Sequence, residues 1–218
     1  KANRSSIDSE RGIGIEKGLK ILWKIRETFD IPVITDVHED SPIDEVADVV
    51  DIIQTPAFLC RQTNFIVKVA SAMKPVNIKK GQFLSPREMV NVVKKAKSTG
   101  NNEIFVCERG ASFGYNNLVS DMRSLIILRE TGCPVVFDAS HSVQQPGSLL
   151  DQSGGESEYI PVLARAAVAV GVDALFIEAH PNPSKAMSDG KNSLDIRDLK
   201  GLLSSVIKIN TIIKDNME

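Results

Sequence analysis

No apolar run in this sequence approaches the roughly 18 residues that a membrane span needs, so a helical membrane protein is excluded on pattern. The opening KANRSSIDSERG is too polar for a secretory signal. Neither sign of charge dominates. With 26 basic and 28 acidic residues the net charge is -2, and no global field favours nucleic acid or an anionic membrane. Any anion binding must therefore be local. Cysteine is scarce, and Cys60, Cys107 and Cys133 show no CxxC spacing, which argues against a disulfide framework or a zinc ribbon and for reduced core thiols in a cytoplasmic protein. No linker or low-complexity stretch divides the 218 residues, so the expectation is one domain over residues 1–218.

What the sequence does have is a repeated plan. Short runs rich in Val, Ile and Phe end abruptly on residues able to do chemistry: PVITDVH (32–38), VVDIIQTPAF (49–58), PVNIKKGQF (75–83), EIFVCERG (103–110), PVVFDASH (134–141) and ALFIEAH (174–180). Apolar runs of this kind are the signature of parallel strands buried on both faces. Helical patterns separate several of them. Residues 14–29 carry apolar side chains at helical spacing, and Ser85-Pro86-Arg87-Glu88 reads as a helix start. Residues 116–131, 157–171 and 195–214 read as three further helices. Residues 142–156, rich in Gly, Ser and Gln, read as a mobile loop over the site.

The implied architecture is α/β, a (β/α)8 barrel with about six βα units present. A closed barrel needs eight strands. Either the sheet is open, or two N-terminal units are absent, in which case unpaired strand edges are expected. In a barrel the active site lies at the C-terminal ends of the strands. The runs place Asp36, His38, Lys79, Lys80, Arg109, Asp138, His141, Glu178 and His180 there.

Lys1, Arg4, Arg61, Lys79, Lys80 and Arg109 are suited to phosphate oxygens. A single surface Lys or Arg is ordinarily just solvated. Lys79, Lys80 and Arg109 resist that account, because charge at the end of an apolar strand is costly to bury without a ligand. His141, Glu178 and Asp189 offer the nitrogen and carboxylate donors of a divalent transition-metal site, although an isolated His is more often a hydrogen-bonded structural imidazole.

At these residues a resemblance emerges. KANRSS (1–6), TDVHE (35–39), QTPAFLCRQT (54–63), NIKKGQF (77–83), ERGASFGYNNLVSDMR (108–123), FDASHSVQQPG (137–147) and FIEAHPNPSKAMSDG (176–190) resemble, in order, the motifs of the 3-deoxy-D-manno-octulosonate 8-phosphate synthase family. KANRSS discriminates most, since the related synthases that use erythrose 4-phosphate carry a KPRTS-type segment there. The resemblance implies a barrel enzyme of the cytoplasm that condenses phosphoenolpyruvate with arabinose 5-phosphate and releases phosphate, on the route to the lipopolysaccharide sugar Kdo. It also implies that two strands precede KANRSS in family members.

By matching motif, the resemblance assigns Lys1, Lys79 and Arg109 to phosphoenolpyruvate, with the backbone near Ala57 at its phosphate. Asn3, Arg4 and Ser5 are assigned to arabinose 5-phosphate, Asp36 to its hydroxyls, and Arg61 to the sugar phosphate of a neighbouring subunit in a homotetramer. His141, Glu178 and Asp189 match three ligands of the metal-dependent class, whose fourth, a cysteine, lies in the preceding segment. His141, Lys79 and Asp189 carry the catalytic expectation. QQPGSLLDQSGG and AMSDGKNSL resemble the metal-dependent members, and no organic cofactor is implied. Two rival classes stay open: an aldolase-type barrel using Lys79 as a Schiff base, and a non-catalytic barrel that binds a phosphorylated metabolite.

Overall fold

The computed structural model describes residues 6–148 and 153–215. Six parallel strands form among the described residues: β1 (Ile34–Asp36), β2 (Ile52–Thr55), β3 (Val76–Lys79), β4 (Ile104–Glu108), β5 (Val135–Asp138) and β6 (Ala174–Phe176). Each coincides with one of the six apolar runs. A helix, α1 (Ile15–Phe29), precedes β1, and one helix follows every strand in turn: α2 (Ile43–Val49), α3 (Thr63–Ala70), α4 (Met89–Lys97), α5 (Arg123–Arg129), α6 (Ile160–Val170) and α7 (Ile196–Asp215). These are the alternating units of a (β/α)8 barrel.

The chain divides into two compact units, with the boundary inside β4, after Val106. In the first unit the strands follow sequence order from β1 to β3, and every pairing is parallel. Successive helices pack on each other, α1 on α2 and α3 on α4. Sequential order with right-handed crossovers is what a barrel wall requires, whereas a doubly wound sheet reverses its order at a switch point. Ile53, Ile78, Val69, Met89 and Ala96 are fully buried between strands and helices. Position 36 pairs with 54, and 54 with 77, so Asp36, Gln54 and Asn77 stand side by side across three strands.

In the second unit β5 pairs with β6 in parallel, and α6 packs between α5 and α7. Phe137, Leu128, Ile160, Ala164 and Ala167 form its centre. Gly171, at φ 93°, ends α6 in the left-handed conformation that glycine adopts without strain.

Strand burial follows position. All four residues of β3 and of β5 are buried, but β1 and β6 have none. Helix α1 likewise buries no residue and leaves Trp23 and Phe29 more than half exposed. β1 and β6 are the outer strands of the sheet, each paired on one side only among the described residues.

One helix expectation changes, and two helices are added. The reading of 116–131 as one helix fails for its first half: Gly114 and Asn116 take positive φ, and Leu118–Val119 turns back to pair with Ala111–Ser112. Helix α5 starts only at Arg123, where Asp121 accepts the Arg123 backbone N–H at 3.0 Å. Two helices, α2 and α3, were not foreseen, because seven or eight residues show too little period to stand out from the runs around them. The segment 142–156 is partly regular: Gln144–Gln145 pairs with Gly154–Gly155, while 149–152 lie outside the described residues. At 85–88 the expected start is present as a capping box, with Ser85 and Glu88 bonding reciprocally ahead of α4.

Candidate active site

The second unit gathers four expected residues around the ends of β4, β5 and β6. Arg109 follows β4 directly, His141 follows β5, Glu178 follows β6, and Asp189 lies in the loop before α7. One ligand atom each from His141, Glu178 and Asp189 lies within 4.8 Å of the others, and all three side chains are half-buried. A cation bonded at about 2.1 Å holds its ligands no more than about 4.2 Å apart, so a shift of a few tenths of an ångström closes the set.

The imidazole is prepared for that role. Asp138, fully buried at the end of β5, accepts the backbone N–H of Ser140 at 3.1 Å and of His141 at 2.8 Å through Oδ1. Its Oδ2 lies 2.8 Å from His141 Nδ1. An ionised carboxylate only accepts, so Nδ1 carries a proton and, in the neutral imidazole, Nε2 is the nitrogen left to ligate; it lies 3.5 Å from Glu178 Oε2. Glu178 is held by its backbone: its N–H donates to Ser140 Oγ at 2.7 Å, and its carbonyl accepts from the Leu194 N–H at 2.8 Å.

Asp189 takes the left-handed conformation at φ 56°, uncommon for a residue with a side chain. Its carbonyl accepts from Ser193 Oγ at 2.9 Å and from the Asn192 N–H at 3.0 Å. Gly190 allows the loop to close, since a Cβ there would stand 2.2 Å from the Pro183 carbonyl oxygen. The imidazole and two carboxylates fit a divalent transition metal by donor type as well as spacing.

Arg109 is buried beside this cluster. Its Nη2 donates to the His141 carbonyl and to Gln144 Oε1, both at 2.8 Å, while its Nε has no partner among the described residues. Burial pulls the guanidinium pKa below its ordinary value, opposed by Asp138, Cys107, Asp189 and Glu108. A buried donor left over on a cation is a place for an anion's oxygen.

The first unit holds Asp36, His38, Ala57, Arg61, Lys79 and Lys80, whereas His180 lies in the second. Asp36, exposed, accepts from Gln54 Nε2 at 2.5 Å, and Gln54 Oε1 accepts from Asn77 Nδ2 at 2.7 Å. Lys79 is buried at the end of β3. Lys80 is buried as well, but its ammonium donates to the Gly81 and Leu84 carbonyls, so it braces the turn after β3. Ala57 opens a short 3-10 turn after β2, and Arg61 just beyond it is exposed. His38 lies beside Phe58, and His180 Nδ1 accepts the Asn182 N–H at 2.9 Å. Lys1, Asn3, Arg4 and Ser5 lie outside the described residues. Cys60, Cys107 and Cys133 are buried and form no disulfide among the described residues, and burial raises the Cys60 thiol pKa.

The sequence matches the DAHP synthetase I family over residues 1–215. The chain belongs to that family. Among its relatives, the 2-dehydro-3-deoxyphosphooctonate aldolase of Francisella tularensis subsp. novicida is 63% identical over 214 residues, covering 98% of this chain and 78% of that protein. The Legionella pneumophila (strain Corby) protein of the same name is 64% identical over the same shares. Family membership agrees with the alternating strands and helices of the fold. Gln144, Gln54 and Asn77 are members of the polar networks that sequence reasoning passed over. An amide has no charge or pKa to draw notice, although the dipeptide Gln144-Gln145 lies just three residues after His141.

Proposed function

We propose that this protein is a 2-dehydro-3-deoxyphosphooctonate aldolase, condensing phosphoenolpyruvate with arabinose 5-phosphate to 3-deoxy-D-manno-octulosonate 8-phosphate and phosphate. The observation that carries this is the identity of 63–64% across 98% of the chain to relatives of that name. It is supported by a buried arginine, whose Nε has no partner among the described residues, beside a three-ligand cluster in the second unit.

In this reading C3 of phosphoenolpyruvate attacks the aldehyde carbon of arabinose 5-phosphate, water adds at C2, and phosphate leaves by C–O cleavage. Arg109 holds the phosphoenolpyruvate anion through its Nε, with Lys79, Lys1 and the backbone near Ala57 as further contacts. Asn3, Arg4, Ser5 and Asp36 take the sugar phosphate and its hydroxyls. Fixed cations of this kind hold two anionic substrates in attack geometry, which supplies proximity and charge stabilisation together. His141, Glu178 and Asp189 hold a divalent cation, with Asp138 keeping the His141 proton on Nδ1. When bound, that cation supplies Lewis-acid polarisation. The protein works as one barrel domain in the cytoplasm and as a homotetramer, in which Arg61 reaches the sugar phosphate of a neighbouring subunit.

The test is phosphate release from phosphoenolpyruvate by the full-length protein, with arabinose 5-phosphate or erythrose 4-phosphate as acceptor, before and after a chelator. Release that requires arabinose 5-phosphate, stops on chelation and returns with divalent metal is expected. Release indifferent to the chelator would remove the metal role from His141, Glu178 and Asp189. No release with arabinose 5-phosphate would overturn the function.

A further inference from the structure

Gln144 occupies the space between the anion-binding and metal-binding groups, and its contacts are directional. Its Oε1 accepts from Arg109 Nη2 at 2.8 Å, and its Nε2 donates to Asp189 Oδ1 at 2.9 Å. The backbone fixes its place. The Gln144 N–H donates to the His141 carbonyl, the same oxygen that Arg109 Nη2 reaches at 2.8 Å, and Gln144 pairs with Gly155 in the short antiparallel ribbon.

Only an uncharged amide serves both neighbours. A carboxylate at this position would face Asp189 with like charge, an ammonium would face Arg109 with like charge, and a hydrocarbon would remove the donor to Asp189 Oδ1 and leave Arg109 Nη2 with the His141 carbonyl alone. The amide also keeps opposite charges from meeting. Arg109 and Asp189 attract each other, and without a spacer they are free to close into a direct ion pair, in which each would be occupied by the other and withdrawn from its ligand.

We infer that Gln144 is a positioning residue that couples the two sites, holding Asp189 for the metal and Arg109 for the phosphorylated substrate through one amide. The inference rests on the proposed function. Coupling is reciprocal: whatever orders Arg109 also orders Asp189, so each ligand tightens the binding of the other.

The experiment is manganese(II) binding to the full-length, metal-stripped protein, followed by the electron paramagnetic resonance of free manganese, with and without phosphoenolpyruvate and with no sugar present. Gln144→Met keeps the length of the side chain and removes both polar groups. It is expected to weaken manganese binding by about 10- to 100-fold. The factor by which phosphoenolpyruvate tightens manganese binding should also fall at least about twofold from that of the parent. Should the Met variant fail to fold, as judged by circular dichroism, Gln144→Asn decides: it keeps both groups but cannot span both partners, so the same two quantities should fall. An unchanged affinity, or a weakened affinity with an unchanged phosphoenolpyruvate effect, overturns the coupling alone. A parent protein that binds no manganese overturns the metal reading of the site and the coupling with it, an outcome distinct from the first because there the parent still binds.

Discussion

Replacing Asp138 with Asn tests how the His141 imidazole is held, because the change removes one charge and almost no volume. In the parent, Oδ1 takes two backbone N–H groups and Oδ2 takes the ring Nδ1. The new amide has two orientations. Turning its NH2 towards the Ser140 and His141 N–H groups would set donors against donors and forfeit two hydrogen bonds worth about 1 kcal/mol each. The favoured orientation therefore keeps the oxygen there and presents NH2 to Nδ1. The imidazole then has to offer its lone pair at Nδ1 and carry its proton on Nε2, the nitrogen that faces Glu178 at 3.5 Å. That nitrogen can no longer ligate without a tautomer change. The expected loss of metal affinity is about 10- to 100-fold, equivalent to about 1.4–2.8 kcal/mol. Cobalt(II) titration of the metal-stripped protein, followed by visible absorption, reads the affinity directly. A folded Asp138→Asn protein with parental cobalt affinity would refute the argument that Asp138 sets the tautomer.

Two further outcomes follow from local geometry. Gly190→Ala places a Cβ 2.2 Å from the Pro183 carbonyl oxygen, so the loop must shift and carry Asp189 with it; weaker cobalt binding is expected, with little change in the circular dichroism of the helices. Glu88 is held below its ordinary pKa of 4.5 by the Ser85 backbone N–H and hydroxyl. A folded-state value below the unfolded one means that the cap stabilises fully above the unfolded value and is lost as pH falls through the folded value. Glu88→Gln should therefore melt lower than the parent near neutral pH, and the difference should shrink in acid, as thermal melts across that range will read.

Strands were the most legible part of the fold. A run such as VVF (135–137) is buried on both faces, and a short element with so little polarity reads most simply as an inner strand. Helices were legible in proportion to length. The 15 residues of α1 and the 20 of α7 repeat their pattern several times, whereas α2 and α3 end after about two turns. Residues 116–131 misled because apolar Leu118 and Val119 fit a helical stripe as well as the two-residue strand they form. The His141, Glu178 and Asp189 set could be named from its residue types and the resemblance. Its orientation could not, because that depends on the Asp138 contact, the left-handed turn at Asp189 and the Gln144 bridge, which exist only after folding.

The row across β1, β2 and β3 has a sense of direction. Asn77 gives a proton to Gln54, and Gln54 gives one to Asp36, so every donor points the same way and the carboxylate terminates the series. At the opposite end Asn77 Oδ1 is buried and accepts from no described residue. A one-way row of this kind transmits preference for a proton donor: whatever hydroxyl or water meets Asn77 Oδ1 polarises both amides towards Asp36. Inverting either amide would oppose two like dipoles in a buried wall. The first unit thereby fixes the direction of its polar row as well as the register of its strands.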